Sequence, residues 1–334
     1  MHTELPKAND FERQVFSVTA GEFEALALQL FRYQHQNTPV YRLYCEALQI
    51  NAGAVNSLLQ VPFLPISFFK SHNVNNSGNS ITALVFESSG TTGMQPSRHL
   101  VPNADLYEQS FRRAFTQFYG DVTEYCVLGL LPSYLERQHS SLVYMVNDLI
   151  KESRHPQSGF YLYDFETLAQ TLQALNATGQ KTILFGVTYA LLDFAERYSM
   201  PLEHTIIIET GGMKGRKKEL LREEVHGLLK KAFSLPAIHS EYGMTELLSQ
   251  AYAIANGIFK TPAWMRVLVR DEDDPFSITS GAGAGGINVI DLANIYSCAF
   301  IATEDAGRLK ADGSFEVLGR LDHAEVRGCS LLAL

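Results

Sequence analysis

Between about residue 81 and residue 250 this chain alternates short apolar β-type runs, at 82–86, 125–131, 182–185 and 205–208, with helical stretches at 105–118, 165–175 and 216–233. That order constrains the fold more than any other feature, because strands that alternate with helices pair in parallel and need helices on their faces. An α/β core over 81–255 is therefore expected. Before it, residues 1–80 read as a helical segment, with Phe23, Leu26, Leu30 and Phe31 at near-helical spacing and a proline-punctuated stretch at Val61-Pro62-Phe63-Leu64-Pro65. After it, short strands at 265–269, 286–291, 298–302 and 314–318, divided by acidic and glycine-rich turns such as 281–286, predict a small, more antiparallel β lobe over 256–318. Residues 319–334 form a hinge-like tail that carries Cys329.

Three classes of function are disfavoured at once. With a formal charge of −9 and scattered basic residues, the chain offers no clustered cations for nucleic-acid phosphates. No apolar run approaches the roughly 20 residues that span a bilayer, and Met1-His2-Thr3-Glu4-Leu5-Pro6-Lys7 lacks the order of a signal peptide, so a cytoplasmic protein is expected. The cysteines at 45, 126, 298 and 329 show neither zinc spacing nor a disulfide pattern. Cys45, Cys126 and Cys298 read as inert thiols in helix or strand.

Chemistry enters with Phe86-Glu87-Ser88-Ser89-Gly90-Thr91-Thr92-Gly93, where a strand leads into four hydroxyl side chains and two glycines whose backbone N–H groups can approach phosphate oxygens. It is not a Walker loop, since no Gly-Lys-Ser/Thr ending follows. An ordinary Ser/Thr/Gly turn is the alternative. Further on stand Ser240-Glu241-Tyr242-Gly243-Met244-Thr245-Glu246, after a strand expected at 237–239, and Glu209-Thr210-Gly211-Gly212-Met213-Lys214-Gly215, at the carboxyl end of a strand where α/β sheets bind ligands. Thr303-Glu304-Asp305 offers a carboxylate that suits two hydroxyl hydrogen bonds, or else a turn between strands.

These segments resemble the acyl-adenylate-forming superfamily. Its phosphate loop is similar to Ser88 through Gly93, although the usual lysine is missing and Met94-Gln95-Pro96-Ser97-Arg98 follows instead. Its Tyr-Gly-x-Thr-Glu motif is similar to Tyr242 through Glu246. The resemblance implies ATP and Mg²⁺ as cofactors, with Glu241, Tyr242 and Gly243 on the nucleotide, Thr245 on a phosphate and Glu246 on the metal. It also implies that Gly211 and Gly212 pack on the adenylate, that Lys214 contacts a phosphate or carboxylate, and that Asp305 clamps the ribose. Gly319-Arg320-Leu321-Asp322 resembles the superfamily's hinge.

Together with Leu131 through Met145, the chain from about Val61 onward resembles the acyl-protein synthetase (LuxE-type) family. That resemblance implies the large N-terminal domain of adenylate-forming enzymes without the usual C-terminal lobe, since only fourteen residues follow Arg320. It implies activation of a fatty acid to acyl-AMP, capture of the acyl group on a cysteine, and a reductase, acyltransferase or carrier protein as partner. The lysine that the lobe would deliver needs a substitute, for which Lys214, Arg98, His99 and His139 are candidates. Cys329, directly after Arg327-Gly328, stands where an incoming thiol would reach the adenylate. Tyr134, Phe185 and Gly186 are candidates for lining the acid pocket. Transfer to CoA or a carrier-protein thiol, with Cys329 structural, and a catalytically inactive nucleotide-binding scaffold remain the alternatives.

Overall fold

Strands buried on both faces read as continuous apolar runs, and Cys126–Leu130 is one, with all five residues buried. It pairs in parallel with Gly159–Phe160 and with Thr182–Val187, which pairs with Thr205–Thr210, which in turn pairs with His239–Tyr242. Helices follow these strands one by one: Ser141–Ser153, Phe165–Thr178, Thr188–Arg197 and Arg222–Phe233, each with a buried apolar stripe. The structure, a computed structural model, describes residues 7–76, 82–88, 95–132, 138–211 and 220–321. The last of these helices was expected from residue 216; it begins after Leu221, whose N–H is taken by the Glu224 carboxylate at 2.8 Å, and residues 216–219 lie outside the described residues.

Beyond His239–Tyr242 the pairing becomes antiparallel. Ala251–Ala253, Phe259–Lys260, Phe315–Arg320, Phe300–Leu309, Gly283–Asp291, Met265–Arg270 and Ile278–Thr279 follow in that order, so the described strands of both halves belong to one mixed sheet. The join is narrow, a register of Phe259 against Phe315. The leading helices pack on the antiparallel half, where the Phe23–Asn37 helix sends buried Gln34 to the carbonyls of Asn294 and Ile295, at 2.8 and 3.1 Å, and accepts the Ala299 N–H at 2.9 Å.

Two expectations are corrected. The 82–86 run does not join the parallel sheet: Leu84–Glu87 forms a separate antiparallel ribbon with Arg98–Val101, and only Phe86 of its four residues is buried. The glycine run at 281–286 is not wholly a turn, because Gly283–Asp291 is a strand. A Cβ on Gly285 would collide with the Arg270 carbonyl, and one on Gly286 would meet the Arg270 guanidinium at 2.6 Å. The glycines let that buried arginine cross the sheet to Ile287 and Asn288, both at 2.8 Å. Cys45, Cys126 and Cys298 are buried as expected. Burial pushes the first two thiols up to about 12 and about 11 and the third upward as well, so none supplies a thiolate near neutral pH.

Candidate active site

The carboxyl ends of the parallel strands open onto a cavity of about 730 Å³, bordered by Ser88, Leu131, Val187, Gly211, Glu241 and the segment from Gly243 to Thr245. In an α/β sheet this is where a ligand is expected. Ser88, the Thr210-Gly211 strand end and the motif residues Gly243 to Thr245, the first more than a hundred residues before the other two, thus meet at one opening. Gly211 has φ +70°, a conformation that side chains other than glycine's disfavour, and the Thr188 hydroxyl bonds its carbonyl.

The motif does not merely follow a strand; its first residues are the strand. His239–Tyr242 carries Ser240, Glu241 and Tyr242, whose side chains alternate between the two faces. Tyr242 is buried against Phe259 and Phe315, with ring centroids 5.8 and 5.5 Å away, and its hydroxyl donates to Asp305 Oδ2 at 2.8 Å. Glu241 takes the opposite face, toward the cavity, where the Thr210 hydroxyl donates to its Oε2 at 2.8 Å. Packing around that carboxyl pushes its pKa up to about 7; the Thr210 hydrogen bond opposes the rise and the charge of Glu209 adds to it.

After Gly243 the chain turns, and buried polar groups fix the turn. His99 Nδ1 lies 2.9 Å from the Thr245 carbonyl, and Asn294 Nδ2 donates to the Glu246 carbonyl at 2.8 Å. Asp291, fully buried, accepts the Leu248, Ser249 and Ala293 N–H groups at 2.8, 3.0 and 3.1 Å and the Ser249 hydroxyl at 2.5 Å. Glu246 is 4% exposed. Burial raises its pKa, while a Ser97 hydrogen bond and the charge of Lys70 oppose the rise. A single buried carboxylate suits a hard dication that takes its other oxygens from phosphate and water, and no cluster of three metal-ligating side chains exists among the described residues.

Asp305 sits within the strand Phe300–Leu309, not in a turn, opposite Arg320 in register. Burial raises its pKa against the Tyr242 hydrogen bond and the charge of Arg320. Arg320 itself is exposed and bonds Glu304 at 2.5 Å. Of the four candidate cations, His139 lines the cavity, with Nδ1 3.0 Å from the Val85 carbonyl. Arg98 is exposed and pairs with Glu87 at 3.4 Å. His99 is buried, its pKa pushed down to about 4, and both ring nitrogens meet protein acceptors, the second being Asn294 Oδ1 at 3.1 Å. It braces the motif turn and is not placed to reach a ligand.

Lys214, Ser89, Gly90, Thr91, Thr92, Gly93, Gly212 and Cys329 lie outside the described residues, as does Tyr134. Phe185 and Gly186 are not on the cavity wall: Phe185 is fully buried, Gly186 is packed by Leu191, and Val187, Tyr189 and Ala190 line the wall instead. Sequence reasoning also missed Gln250 and Asp291. Gln250 lies four residues past the motif and lines the cavity; its place just beyond a turn at a strand end was the signal available for it.

No protein-family model and no curated sequence matches the chain. Solved structures share its fold at low identity. The ATP-bound MatB of Rhodopseudomonas palustris superposes with a TM-score of 0.55 at 18% identity, over 73% of this chain and 49% of that one. The 2-hydroxyisobutyryl-CoA ligase in complex with 2-HIB-AMP and CoA in the thioesterification state gives 0.64 at 14%, over 96% and 73%. Its open conformation, again with 2-HIB-AMP and CoA, gives 0.62 at 13%, over 93% and 78%. The chain spans about half the length of the MatB structure it matches. At these identities the likeness shows the fold, that of the large N-terminal domain of adenylate-forming enzymes. No helix among the described residues is long and apolar enough to cross a membrane.

Proposed function

We propose that this protein is an acid-activating ligase that makes an acyl-adenylate from ATP and a carboxylic acid and then captures the acyl group on Cys329. The observation that carries the reading is the convergence of Ser88, Gly211 and Gly243 through Thr245 on one cavity at the strand ends, in this fold. The nucleoside would lie on the Tyr242 and Asp305 face, with Asp305 holding the ribose hydroxyls. The phosphates would lie against Thr245 and the loop from Ser88 to Gly93, with Gly211 and Gly212 against the adenylate. Glu246 would hold Mg²⁺, which supplies charge neutralisation at the phosphate oxygens when bound.

In the first half-reaction a carboxylate oxygen of the acid attacks the α-phosphorus, and the bond to pyrophosphate breaks. Lys214 and His139 are the cations proposed to orient that carboxylate. In the second, the Cys329 thiolate attacks the acyl carbon, the C–O bond to AMP breaks, AMP leaves with the electron pair, and the thiol proton goes to water. Proximity replaces a second binding event. A free cysteine with a pKa near ~8.5 needs help to ionise, which Arg327 or His323 would give. The acyl group then passes to a partner protein, a reductase, an acyltransferase or a carrier.

A second reading sends the acyl group to CoA, favoured by the CoA bound in the matched 2-hydroxyisobutyryl-CoA ligase. Acid-dependent exchange of labelled pyrophosphate into ATP tests the first half-reaction under either reading. Its absence across a broad acid panel, with ATP binding intact, would favour a nucleotide-binding scaffold.

A further inference from the structure

A second cavity, of about 890 Å³, lies on the antiparallel half of the sheet and shares none of its described lining residues with the first. Its walls are mostly apolar, with Leu48, Ile50, Phe63, Ile66, Phe276 and Ile278 among them. The charged groups it meets are engaged or turned to solvent. Arg270 bonds Ile287, Asn288 and Thr303, Glu304 pairs with Arg320 and Lys70, Asp271 accepts the Asp273 and Asp274 N–H groups, and Glu272 is exposed. Leu59 and Phe276 line the cavity while 42% and 58% exposed, so large apolar side chains meet water there. An apolar hollow of this kind marks a place where something apolar binds.

Leu321, the last described residue, is itself part of this lining. The strand Phe315–Arg320 pairs with Phe300–Leu309, and Leu321 continues the ladder by donating its N–H to the Glu304 carbonyl at 2.8 Å. Beyond that point the edge is taken. Leu64 and Pro65 stand opposite Ile301 and Ala302, and the Ile66 N–H holds the Ala302 carbonyl at 2.9 Å, while Gly283–Asp291 occupies the other edge of the same strand. A continued register would set His323 against Ala302, where Pro65 already stands. The ladder therefore hands the chain over at the wall of the apolar cavity.

The sequence that follows puts its charges first, at Asp322, His323, Glu325 and Arg327, and then runs Gly328-Cys329-Ser330-Leu331-Leu332-Ala333-Leu334 with no charged side chain. We propose that Leu331, Leu332 and Leu334 of this same chain fill the cavity beside Leu321. At roughly 3.3 Å per residue, the stretch from Asp322 to Leu331 can reach about 33 Å, enough to enter a cavity whose wall begins at Leu321. The tether also spares the cost of a separate binding event. Cys329, two residues before Leu331, is then held at this cavity, and it reaches the one at the parallel strand ends only when the leucines leave. Seating of the tail thus sets how much of the thiol is available, as a two-state equilibrium.

The test places a bimane dye on Cys329, which labelling can select because Cys45, Cys126 and Cys298 are buried, and reads contact quenching by an introduced tryptophan. Phe276→Trp marks the apolar cavity, with Leu59→Trp in its place if the first variant fails to fold; Tyr163→Trp, at an exposed residue, marks the other cavity. Phe276→Trp should quench the dye more than Tyr163→Trp does, at every protein concentration. Leu331→Ser, Leu332→Ser and Leu334→Ser together should relieve that quenching, since the burial of three leucines favours the seated tail by about a hundredfold or more. Quenching by Phe276→Trp no greater than by Tyr163→Trp, or quenching that the serines leave in place, overturns the proposal. Quenching that appears only as the protein concentration rises gives the cavity to the tail of a second copy and overturns it too. Neither ATP nor an acid enters the measurement, so its outcome is separate from that of the ligase reading.

Discussion

Replacing Glu241 by glutamine should stabilise the free protein, and by more as the pH rises. The native carboxyl has its pKa raised from 4.5 to about 7, first by burial and then by the charge of Glu209. A carboxyl whose folded-state pKa lies above its unfolded value binds its proton more tightly when folded. Its contribution is therefore fully present below about pH 4.5 and is lost as the pH rises toward 7. About 2.5 units at 1.36 kcal/mol each amounts to roughly 3 kcal/mol by pH 8, against well under about 1 kcal/mol at pH 4.5. Cavity water screens part of this, so about 1–3 kcal/mol is expected at the upper end. The amide cannot ionise and escapes the loss. Urea unfolding of both proteins in steps between pH 4.5 and 8 measures the difference, and its slope removes any constant offset from the amide itself. A difference that does not grow with pH, or a variant that loses ground as the pH rises, would refute the placement of Glu241 in a poorly solvated, acid-rich wall.

Two further outcomes test the frame around the site. Tyr242→Phe removes the 2.8 Å hydrogen bond to Asp305; at about 1.5–3 kcal/mol for a bond to a charged group, urea unfolding should show a loss of that order, and KM for ATP in pyrophosphate exchange should rise because Asp305 loses the contact that orients it. Asp291→Ala strands the buried N–H groups of Leu248, Ser249 and Ala293, each worth about 1–3 kcal/mol unpaired. A loss of at least about 3 kcal/mol in urea unfolding is expected, and a loss below about 1 kcal/mol would contradict the bracing role given to Asp291.

Much of this architecture was legible because period and punctuation leave few choices. The runs at 125–131, 182–185 and 205–208 became the parallel strands Cys126–Leu130, Thr182–Val187 and Thr205–Thr210. What stayed hidden depends on partners distant in sequence. Whether Leu84–Glu87 is a sheet strand or a ribbon is decided by Arg98–Val101 and by its N–H bond to the His139 carbonyl at 2.8 Å. Whether glycines at 283–286 turn or extend is decided by the Arg270 side chain lying across them. His99 read as a candidate cation until Thr245 and Asn294 were seen at its two nitrogens. Glu241 read as part of the nucleotide motif, but strand alternation turns its carboxyl away from Tyr242 and toward the cavity. Gln250 carries no motif, and only its buried amide oxygen, without a partner among the described residues, marks it.

The most direct measurement of the proposed chemistry is the intact mass of the protein after incubation with Mg-ATP and a mixture of carboxylic acids, with no thiol added. Activation and capture predict an added mass equal to one molecule of the acid less one water, removed by hydroxylamine and absent from Cys329→Ser. A mass unchanged by any acid while pyrophosphate exchange proceeds, or a label that persists in Cys329→Ser, would contradict capture on that cysteine.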